Sequence, residues 1–324
     1  MSGQIVVDVA GGPAGGAARY RDEFERYLAT GSRDDVRVVG RGRYLTAEWL
    51  IRRELTALRA ARKVAFNNAS FMTPGGERWT VLQNALHYLT ESERREFGTT
   101  VPRAVHAQAI VVRFGATRSD VLIAPCTAMA ERVVTVLPEV RDRVVVRFNP
   151  IAPDSFPPSD ARAPVILCPI ILHPYKRMDE RLAELVRAVD AHGDPEIQVH
   201  VTATISELPA FLANHPRVVP LGRLSHERLR SVWSQSRAIY FPTGIEAFGY
   251  PLGEARLSGH PVIALDTEQN REIAGGALCA FAAGDGDALR DAVARAFTTE
   301  VPADPRPFDP TAYFTFLLTV RGTR

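Results

Sequence analysis

The chain has 324 residues, which is enough for two domains with separate hydrophobic cores. Its 46% apolar content includes no run near the roughly eighteen residues of a membrane-spanning helix, which argues against an integral membrane protein. A net charge of +2 provides no global field for nucleic acid, and three widely spaced cysteines in apolar surroundings indicate buried thiols rather than a disulfide or a zinc site.

The first half of the chain alternates short apolar strands with amphipathic segments. A strand at residues 4–9 leads into a glycine loop at residues 11–16 and a helix at residues 17–29. Further strands are predicted at residues 36–39, 63–67, 80–82, 120–124 and 144–147, and helices at residues 47–61, 109–114 and 127–137. Such alternation with short connections predicts a doubly wound parallel sheet covered on both faces.

A proline-rich stretch at residues 149–158 is stiff and extended, and we place a domain boundary there. Residues 1–150 then form a first Rossmann-like domain and residues 151–308 a second, with the apolar segment 309–324 packing on another part of the chain. The second domain has predicted strands at residues 165–168, 197–202, 218–221, 238–241 and 261–265, and helices at residues 178–191, 225–236 and 287–297. We expect an α/β protein whose two sheets face a cleft, where ligands bind at the carboxyl ends of the strands.

Two glutamates bracket a glycine turn and a helix start between the predicted strands at residues 238–241 and 261–265. Gly249 allows special backbone angles, Pro251 suits a first helical turn, and the amides of residues 248–250 can point at an anion. Carboxylates repel phosphate but accept hydrogen bonds from hydroxyl groups, which suits Glu246 and Glu254. Phosphate flanked by hydroxyl-rich groups describes a nucleotide sugar, and a purely structural glutamate pair is the alternative.

Two other loops carry weaker signals. The glycine loop, with Gly15 and Gly16 ahead of the first helix, is suited to phosphate binding, although a plain tight turn explains it equally well. Lys176 and Arg177 follow the first strand of the second domain and precede a helix, so an anionic ligand or a solvated basic turn accounts for them. Asp285 and Asp287 are better explained by a helix cap than by a metal site, and no metal ligand is assigned.

Together these motifs make the chain resemble the GT-B glycosyltransferases of the large retaining family 4. The segment PTGIEAFGYPLGEA, at residues 242–255, follows the family pattern Pro-Ser-x-x-Glu-Gly-Phe-Gly-x-Pro-x-x-Glu-Ala, and REIAGGALCAF resembles the continuation of that pattern. The resemblance is strongest over residues 218–281. Weaker matches are the glycine loop, the Asn149 linker and Pro174-x-Lys176.

The resemblance implies that the second domain holds a nucleotide-diphosphate sugar, that the first domain meets the acceptor, and that residues 309–324 cross back onto the first domain. Glu254 accepts from the ribose hydroxyls, Glu246 holds sugar hydroxyls, Lys176 neutralises the diphosphate, and residues 221–223 lie near the base. We accordingly assign catalytic roles to Glu246, Lys176 and Asn84, and donor-binding roles to Glu254, Phe248, Gly249, Tyr250, Pro251, Arg177, Gly15, Gly16, Leu221 and Arg223.

Three positions depart from the family pattern. Ile170 and Ile171 stand where relatives have Gly-Arg, which leaves one diphosphate cation missing or replaced by Arg177. Ala247 replaces a glycine. Where relatives have a histidine after a first-domain strand, this chain has Gln83 and Asn84, with His87 three residues on, so any of these three residues is a candidate to face the donor sugar.

The expected function is a retaining, metal-independent transfer of a sugar to an acceptor hydroxyl on a natural product, a saccharide or a lipid-linked glycan. No cofactor is expected beyond the nucleotide-sugar co-substrate, and no nucleic acid partner. Peripheral contact with a membrane stays open. With no visible secretory signal we expect a cytoplasmic protein, and the arginine-rich composition is compatible with a bacterial source. The alternatives are a non-catalytic nucleotide-sugar binder and a Rossmann NAD(P) oxidoreductase.

Overall fold

The computed structural model describes residues 4–13, 15–31, 33–156 and 162–319. The chain divides into two compact units. The first unit consists of residues 1–151, 246–248 and 308–324, and the second of residues 152–245 and 249–307. Ala14, residues 157–158 and residues 320–324 fall outside the described residues, so the predictions that include them are followed only up to those positions.

The first unit contains a six-stranded parallel sheet in the order β2-β1-β3-β4-β5-β6. Its strands are β1 (Ile5–Asp8), β2 (Val36–Val39), β3 (Arg62–Ala65), β4 (Glu77–Val81), β5 (Val121–Ala124) and β6 (Val144–Val146). Its helices are α1 (Gly16–Ala29), α2 (Ala47–Thr56), α3 (Glu91–Phe97), α4 (Arg103–Ala116), α5 (Thr127–Val136) and, from the end of the chain, α12 (Pro310–Leu318). The strand order reverses between β1 and β3, so their carboxyl ends mark the switch point of this sheet.

Aromatic side chains hold α12 and α1 on the sheet of the first unit. The rings of Phe24 and Phe314 lie 5.2 Å apart, and Phe66, just after β3, meets the Phe24 ring edge-on at 4.9 Å. Tyr20 is fully buried in the same cluster, and its hydroxyl donates to that of Tyr313 at 3.2 Å. Burying this much aromatic surface fixes the last described helix to the first unit.

The second unit contains another six-stranded parallel sheet, in the order β12-β11-β10-β7-β8-β9. Its strands are β7 (Ala163–Cys168), β8 (Gln198–Val201), β9 (Val218–Pro220), β10 (Ser236–Tyr240), β11 (Val262–Leu265) and β12 (Leu278–Phe281). Its helices are α6 (Met178–His192), α7 (Ala210–Ala213), α8 (His226–Gln235), α9 (Tyr250–Ser258), α10 (Glu268–Ala274) and α11 (Gly286–Thr298). A buried aliphatic core under α6 and α11 includes Leu182, Leu185 and Val293.

The prediction of parallel α/β sheets is confirmed, while several boundaries differ from the sequence prediction. Helix α2 ends at Thr56 rather than at residue 61, because the chain turns there, with Ala60 N donating to Ala57 O at 3.1 Å, and the amide of Ala61 then donates to Gln4 O at 2.8 Å, ahead of β3. The sequence analysis does not predict strand β12 or helices α3, α7 and α10. Thr90 and Glu93 form a capping box at the start of α3, a signal that the sequence already contains.

Within the part of the chain that the structure describes, every helix is too short or too polar to traverse a bilayer. The three cysteines are buried and free, as predicted. Burial raises the pKa of the Cys168 thiol far above its ordinary value, so that thiol stays protonated at neutral pH.

Candidate functional site

The carboxyl ends of β7 and β10 mark the switch point of the second sheet. These two strands are parallel neighbours, with Leu167 opposite Ile239, and the chain runs outward from them in opposite directions across the sheet. Loops that leave neighbouring strands in opposite directions open a crevice at this edge, and ligands of doubly wound proteins bind there. The loop after β7 leads to Lys176, and the loop after β10 leads to α9.

Helix α9 begins at a glycine that the backbone requires. Gly249 caps the helix in a left-handed conformation, with φ 78° and ψ 72°. A Cβ atom there would lie 3.0 Å from Leu252 Cδ1 and 3.0 Å from Phe241 Cε1, so a side chain would strain the backbone and crowd both neighbours. Pro251 lies in the first turn, and no acidic residue does. The amides at the start of a helix attract an anion.

Glu254 lies in the second turn of α9 and is fully buried. Its main-chain carbonyl accepts from Ser258 Oγ at 2.6 Å, which ties the carboxyl end of the helix to its middle. A carboxylate that is removed from water needs donors around it, because its desolvation is costly. Its burial so close to a helix start of the kind that attracts anions distinguishes Glu254 from an ordinary surface glutamate.

Lys176 ends a short 3-10 turn, Pro174–Lys176, between β7 and α6. It is half-buried, and its ammonium lies 6.0 Å from the centre of the Tyr175 ring. The loop after β7 is anchored at its start, where Ile170 N donates to Thr202 Oγ1 at 2.9 Å. The β7 loop therefore places one cation at the edge of the sheet from which α9 also starts.

Arg177 takes a left-handed conformation with φ 48° at the start of α6, and its guanidinium pairs with Glu180 one turn further on. Both side chains are more than half exposed. Asp179 and Glu180 supply acidic residues to the first turn of α6, so the helix dipole is already complemented without an external anion. The ion pair with Glu180 thus favours the interpretation of Arg177 as part of a solvated basic turn.

Residues 221–223 lie at the same edge of the sheet, after β9. Leu221 N donates to Val201 O at 2.8 Å, and Gly222 N donates to Ala203 O at 2.9 Å, which extends the β8–β9 ladder into the loop. Arg223 pairs with Glu207, and Glu207 also closes a capping box with Thr204. These contacts hold the loop two strands away from β7.

The first unit presents Gly15, Gly16 and Asn84 after β1 and β4. Gly15 has φ 79° and precedes α1, so the glycine loop ends in a helix start as predicted. Tyr20 lies in the aromatic core, so the side of α1 that carries Tyr20 packs against α12. Residues 246–248 also belong to this unit, where Cys126 Sγ donates to Ala247 O at 3.3 Å and Phe248 lies 6.0 Å from the Phe148 ring.

Asn84 caps a 3-10 turn, Ala85–Tyr88, by accepting from Leu86 N at 3.0 Å. Its amide lies 3.5 Å from His87 Nε2. Burial lowers the pKa of His87 to about 4, so that ring is neutral at pH 7. Asn68 holds this loop from the other side, because its Oδ1 accepts from Gln83 N at 2.6 Å and from Asn84 N at 3.1 Å.

Sequence reasoning missed a buried polar network at the switch point of the first sheet. Asp8, at the end of β1, accepts from Arg53 Nη1 at 2.6 Å, from Asn67 Nδ2 at 2.9 Å and from Trp49 Nε1 at 3.0 Å. Arg53 also donates to the carbonyls of Ala69 and Ser70, each at 2.7 Å. The network joins β1, α2 and the loop after β3, and that loop carries Asn68. The polar residues at the end of an apolar strand were the signal available in the sequence.

No cluster of three or more potential metal ligands occurs in the described ranges. Asp285 caps α11 by accepting from Ala288 N at 2.9 Å, which is the role predicted for it. In the second unit, the described residues thus present a helix start, the buried carboxylate of Glu254 and Lys176 at the carboxyl ends of the strands. In the first unit, they present Asn84, the neutral His87 and the glycine loop at the carboxyl ends of the strands.

The chain is similar to one protein family and to several solved structures. Residues 163–299, which contain α9 and the β7 loop, match the protein family described as Glycosyl transferases group 1. No curated protein sequence matches the chain.

Solved structures match nearly the whole chain. The Anabaena protein HepE in complex with UDP and glucose has a TM-score of 0.63 at 16% identity, over 97% of this chain and 95% of that one. A sucrose-phosphate synthase from Thermosynechococcus elongatus has a TM-score of 0.62 at 15% identity, over 95% and 92%. WaaG, a glycosyltransferase involved in lipopolysaccharide biosynthesis, has a TM-score of 0.62 at 14% identity, over 95% and 92%. The two six-stranded parallel sheets with flanking helices are thus the fold of the GT-B glycosyltransferases, and the family match falls on the second unit apart from residues 246–248.

Proposed function

We propose that the chain is a glycosyltransferase of family 4 that moves a sugar from a nucleotide-diphosphate sugar to an acceptor hydroxyl, with retention of configuration and without a metal ion. The observation that carries the proposal is the start of α9. It combines a required left-handed glycine, a first turn free of acidic residues and a buried glutamate, all at a sheet switch point within the matched residues 163–299.

In this proposal the amides of Phe248, Gly249 and Tyr250 bind the diphosphate, and Glu254 accepts from the ribose hydroxyls. Pro251 presets the first turn of the helix, and Leu221 and Arg223 flank the base. Lys176 neutralises the diphosphate. Arg177 serves as the second cation once it leaves Glu180, since an exposed ion pair of this kind is worth only about 0–1 kcal/mol.

The chemistry follows from where charge develops. As the anomeric bond breaks, the diphosphate gains negative charge, which Lys176 and the α9 amides stabilise. No described carboxylate is assigned as a nucleophile. The departing phosphate takes the proton of the acceptor hydroxyl on the same face of the sugar, which retains the configuration. Glu246 holds sugar hydroxyls, and Asn84, with the glycine loop at Gly15 and Gly16, serves the sugar and acceptor side.

The acceptor in this proposal is a natural product, a saccharide or a lipid-linked glycan, and the protein works in the cytoplasm, where nucleotide sugars are available. The HepE structure contains UDP and glucose, which makes UDP-glucose the first donor to test.

The test is a turnover assay with UDP, GDP and dTDP sugars against an acceptor panel in the presence of EDTA. Released nucleoside diphosphate and product mass report turnover, and the anomeric coupling constant of the product reports configuration. Lys176→Ala and Glu254→Gln should each lower kcat/KM by about 100-fold or more, as loss of one transition-state or ribose contact does. Arg290→Ala and Glu268→Gln, on the exposed surface of the same unit, should match the wild type.

The proposal fails if the wild type cleaves none of these donors, or if both site variants retain wild-type kcat/KM. A product of inverted configuration would contradict only the proposed retention. Loss of turnover in EDTA would contradict only the proposed independence from metal ions.

A second candidate is a nucleotide-sugar binder without turnover. It is favoured by Ile170 and Ile171, which provide no cation, and by the pairing of Arg177 with Glu180. Tight binding of UDP without turnover on any acceptor would support it over the enzyme.

A further inference from the structure

Helix α2 of the first unit has an apolar stripe on its outward side. Ile51, Leu55 and Leu58, the last in the turn after the helix, are 68%, 66% and 52% exposed. Spacings of four and three residues put them on one line along the helix. The opposite side carries Arg53 and Ala57, which are buried. A helix that covers a sheet ordinarily shows water its polar side, so this stripe is an inversion of the usual pattern.

Helix α4 shows the same inversion. Ile110, Val111 and Phe114 are 73%, 57% and 55% exposed, whereas Val112 and Ala116 are buried against the unit. The exposed three lie within about one third of the helix circumference, given 100° per residue.

Both stripes lie on one layer of the first unit. Helices α2 and α4 connect strands that progress in the same direction across the sheet, and right-handed crossovers then place both on the same face. Helices α2 and α4 also both contact Ser70, in the loop after β3. Arg53 Nη2 donates to Ser70 O at 2.7 Å, and a Cβ atom on Gly115 would lie 3.3 Å from Ser70 Cβ. We call the outward surface formed by these six apolar side chains the α2–α4 face.

The charge of this face is positive along α4. Residues 103–118 contain three arginines, one histidine and no acidic residue. The guanidinium of Arg118 lies 5.3 Å from the centre of the exposed Phe114 ring, so a cation flanks the apolar stripe. On α2, Arg52 is paired with Glu48 at 3.2 Å and adds no net charge.

These charges decide between two occupants. In a two-fold dimer each face meets its own copy, which would bring the α4 arginines of both chains together. An anionic bilayer complements the arginines and takes up the apolar side chains at the boundary between headgroups and acyl chains.

We propose that the α2–α4 face docks the protein on an anionic lipid bilayer. The six apolar side chains enter the interfacial region of one leaflet, and Arg103 and Arg118 contact lipid phosphates. The inference concerns a surface distinct from the residues proposed to hold the donor, and it stands independently of the glycosyltransferase proposal.

The test is cosedimentation of the full chain with vesicles of phosphatidylcholine alone or of phosphatidylcholine mixed with phosphatidylglycerol, which supplies the anionic headgroups. We expect binding to the anionic vesicles, at least tenfold weaker binding to the neutral ones, and weakening at high salt. Ile110→Ser with Phe114→Ser should reduce binding at least tenfold. The matched control is Ile205→Ser with Phe211→Ser in the second unit, where both side chains are 62% exposed, and it should bind like the wild type.

The proposal is overturned if the wild type does not cosediment, if the α4 variant binds like the control, or if light scattering shows a dimer that the α4 variant dissociates. A thermal shift with UDP should be unchanged in the α4 variant, so loss of lipid binding and loss of donor binding are separate results.

Discussion

The buried pair of Asp8 and Arg53 provides the sharpest stability prediction. The side chain of Asp8 is 0% exposed and that of Arg53 is 1% exposed, and their shortest contact is 2.6 Å. In Asp8→Asn an amide replaces a carboxylate oxygen that accepts from both Arg53 and Asn67, so two donors lose their acceptor and the guanidinium keeps its charge in a buried site.

Breaking one side of such a buried pair costs about 3–5 kcal/mol. For a unit of this size each kcal/mol lowers Tm by about 2–4 °C, so the first unit should melt roughly 6–20 °C lower. The assay is urea and thermal unfolding followed by tryptophan fluorescence, because Trp49 donates directly to Asp8 at 3.0 Å and reports on this unit.

Two further variants sharpen the test. Arg52→Ala removes an ion pair whose side chains are 62% and 77% exposed, and it should cost less than about 0.5 kcal/mol. Combining Asp8→Asn with Arg53→Met should recover part of the loss, with a coupling of at least about 1 kcal/mol. An Asp8→Asn protein within about 1 kcal/mol of the wild type would refute the account of this network.

Two remaining predictions concern pH and backbone conformation. Burial lowers the pKa of His87 to about 4 and that of His260 to about 3, from an ordinary value of 6.5. Between pH 6.5 and each folded pKa the unfolded chain binds more protons than the folded one, so both contributions to stability are complete above pH 6.5, fall as pH drops below 6.5, and are fully lost once pH has passed the folded pKa value. On the order of 3 kcal/mol should be lost for His87 alone by pH 4. His87→Asn should flatten the pH dependence of urea unfolding by that amount, and an unchanged slope would contradict the assignment. Gly249→Ala should weaken UDP binding in calorimetry at least tenfold, because φ is 78° and the new Cβ atom has contacts at 3.0 Å. Gly244→Ala, where the nearest atom would be 3.8 Å away, is its control, and equal UDP affinities for the two variants would contradict the proposed role of the helix start.

The predictable parts of the fold depend on local patterns. The alternation of strand and helix patterns in the sequence predicts the doubly wound sheets, because apolar runs bounded by turns are typical of buried parallel strands. The helix start at Gly249 and Pro251 was visible for the same reason, since both residues act on their own backbone. The capping residues Thr90 and Thr267 were equally local, and the helices that they start could have been predicted.

The missed parts depend on contacts between distant positions. Arg53 lies 45 positions and Asn67 lies 59 positions after Asp8 along the chain, and only the strand order brings the three residues together. The rotation of α1, which buries Tyr20, is likewise set by α12 from the far end of the sequence. The Arg177–Glu180 pair was within reach, because residues three apart on a helix are neighbours.

The proposed donor-binding role of the second unit is tested most directly by isothermal titration of UDP into the wild type, Glu254→Gln and the control Glu268→Gln. We predict that the wild type and the control bind UDP with the same affinity, and that Glu254→Gln binds at least tenfold more weakly, a difference of about 1.4 kcal/mol or more. Circular dichroism should show all three folded. UDP binding that is unchanged in a folded Glu254→Gln protein would contradict the account.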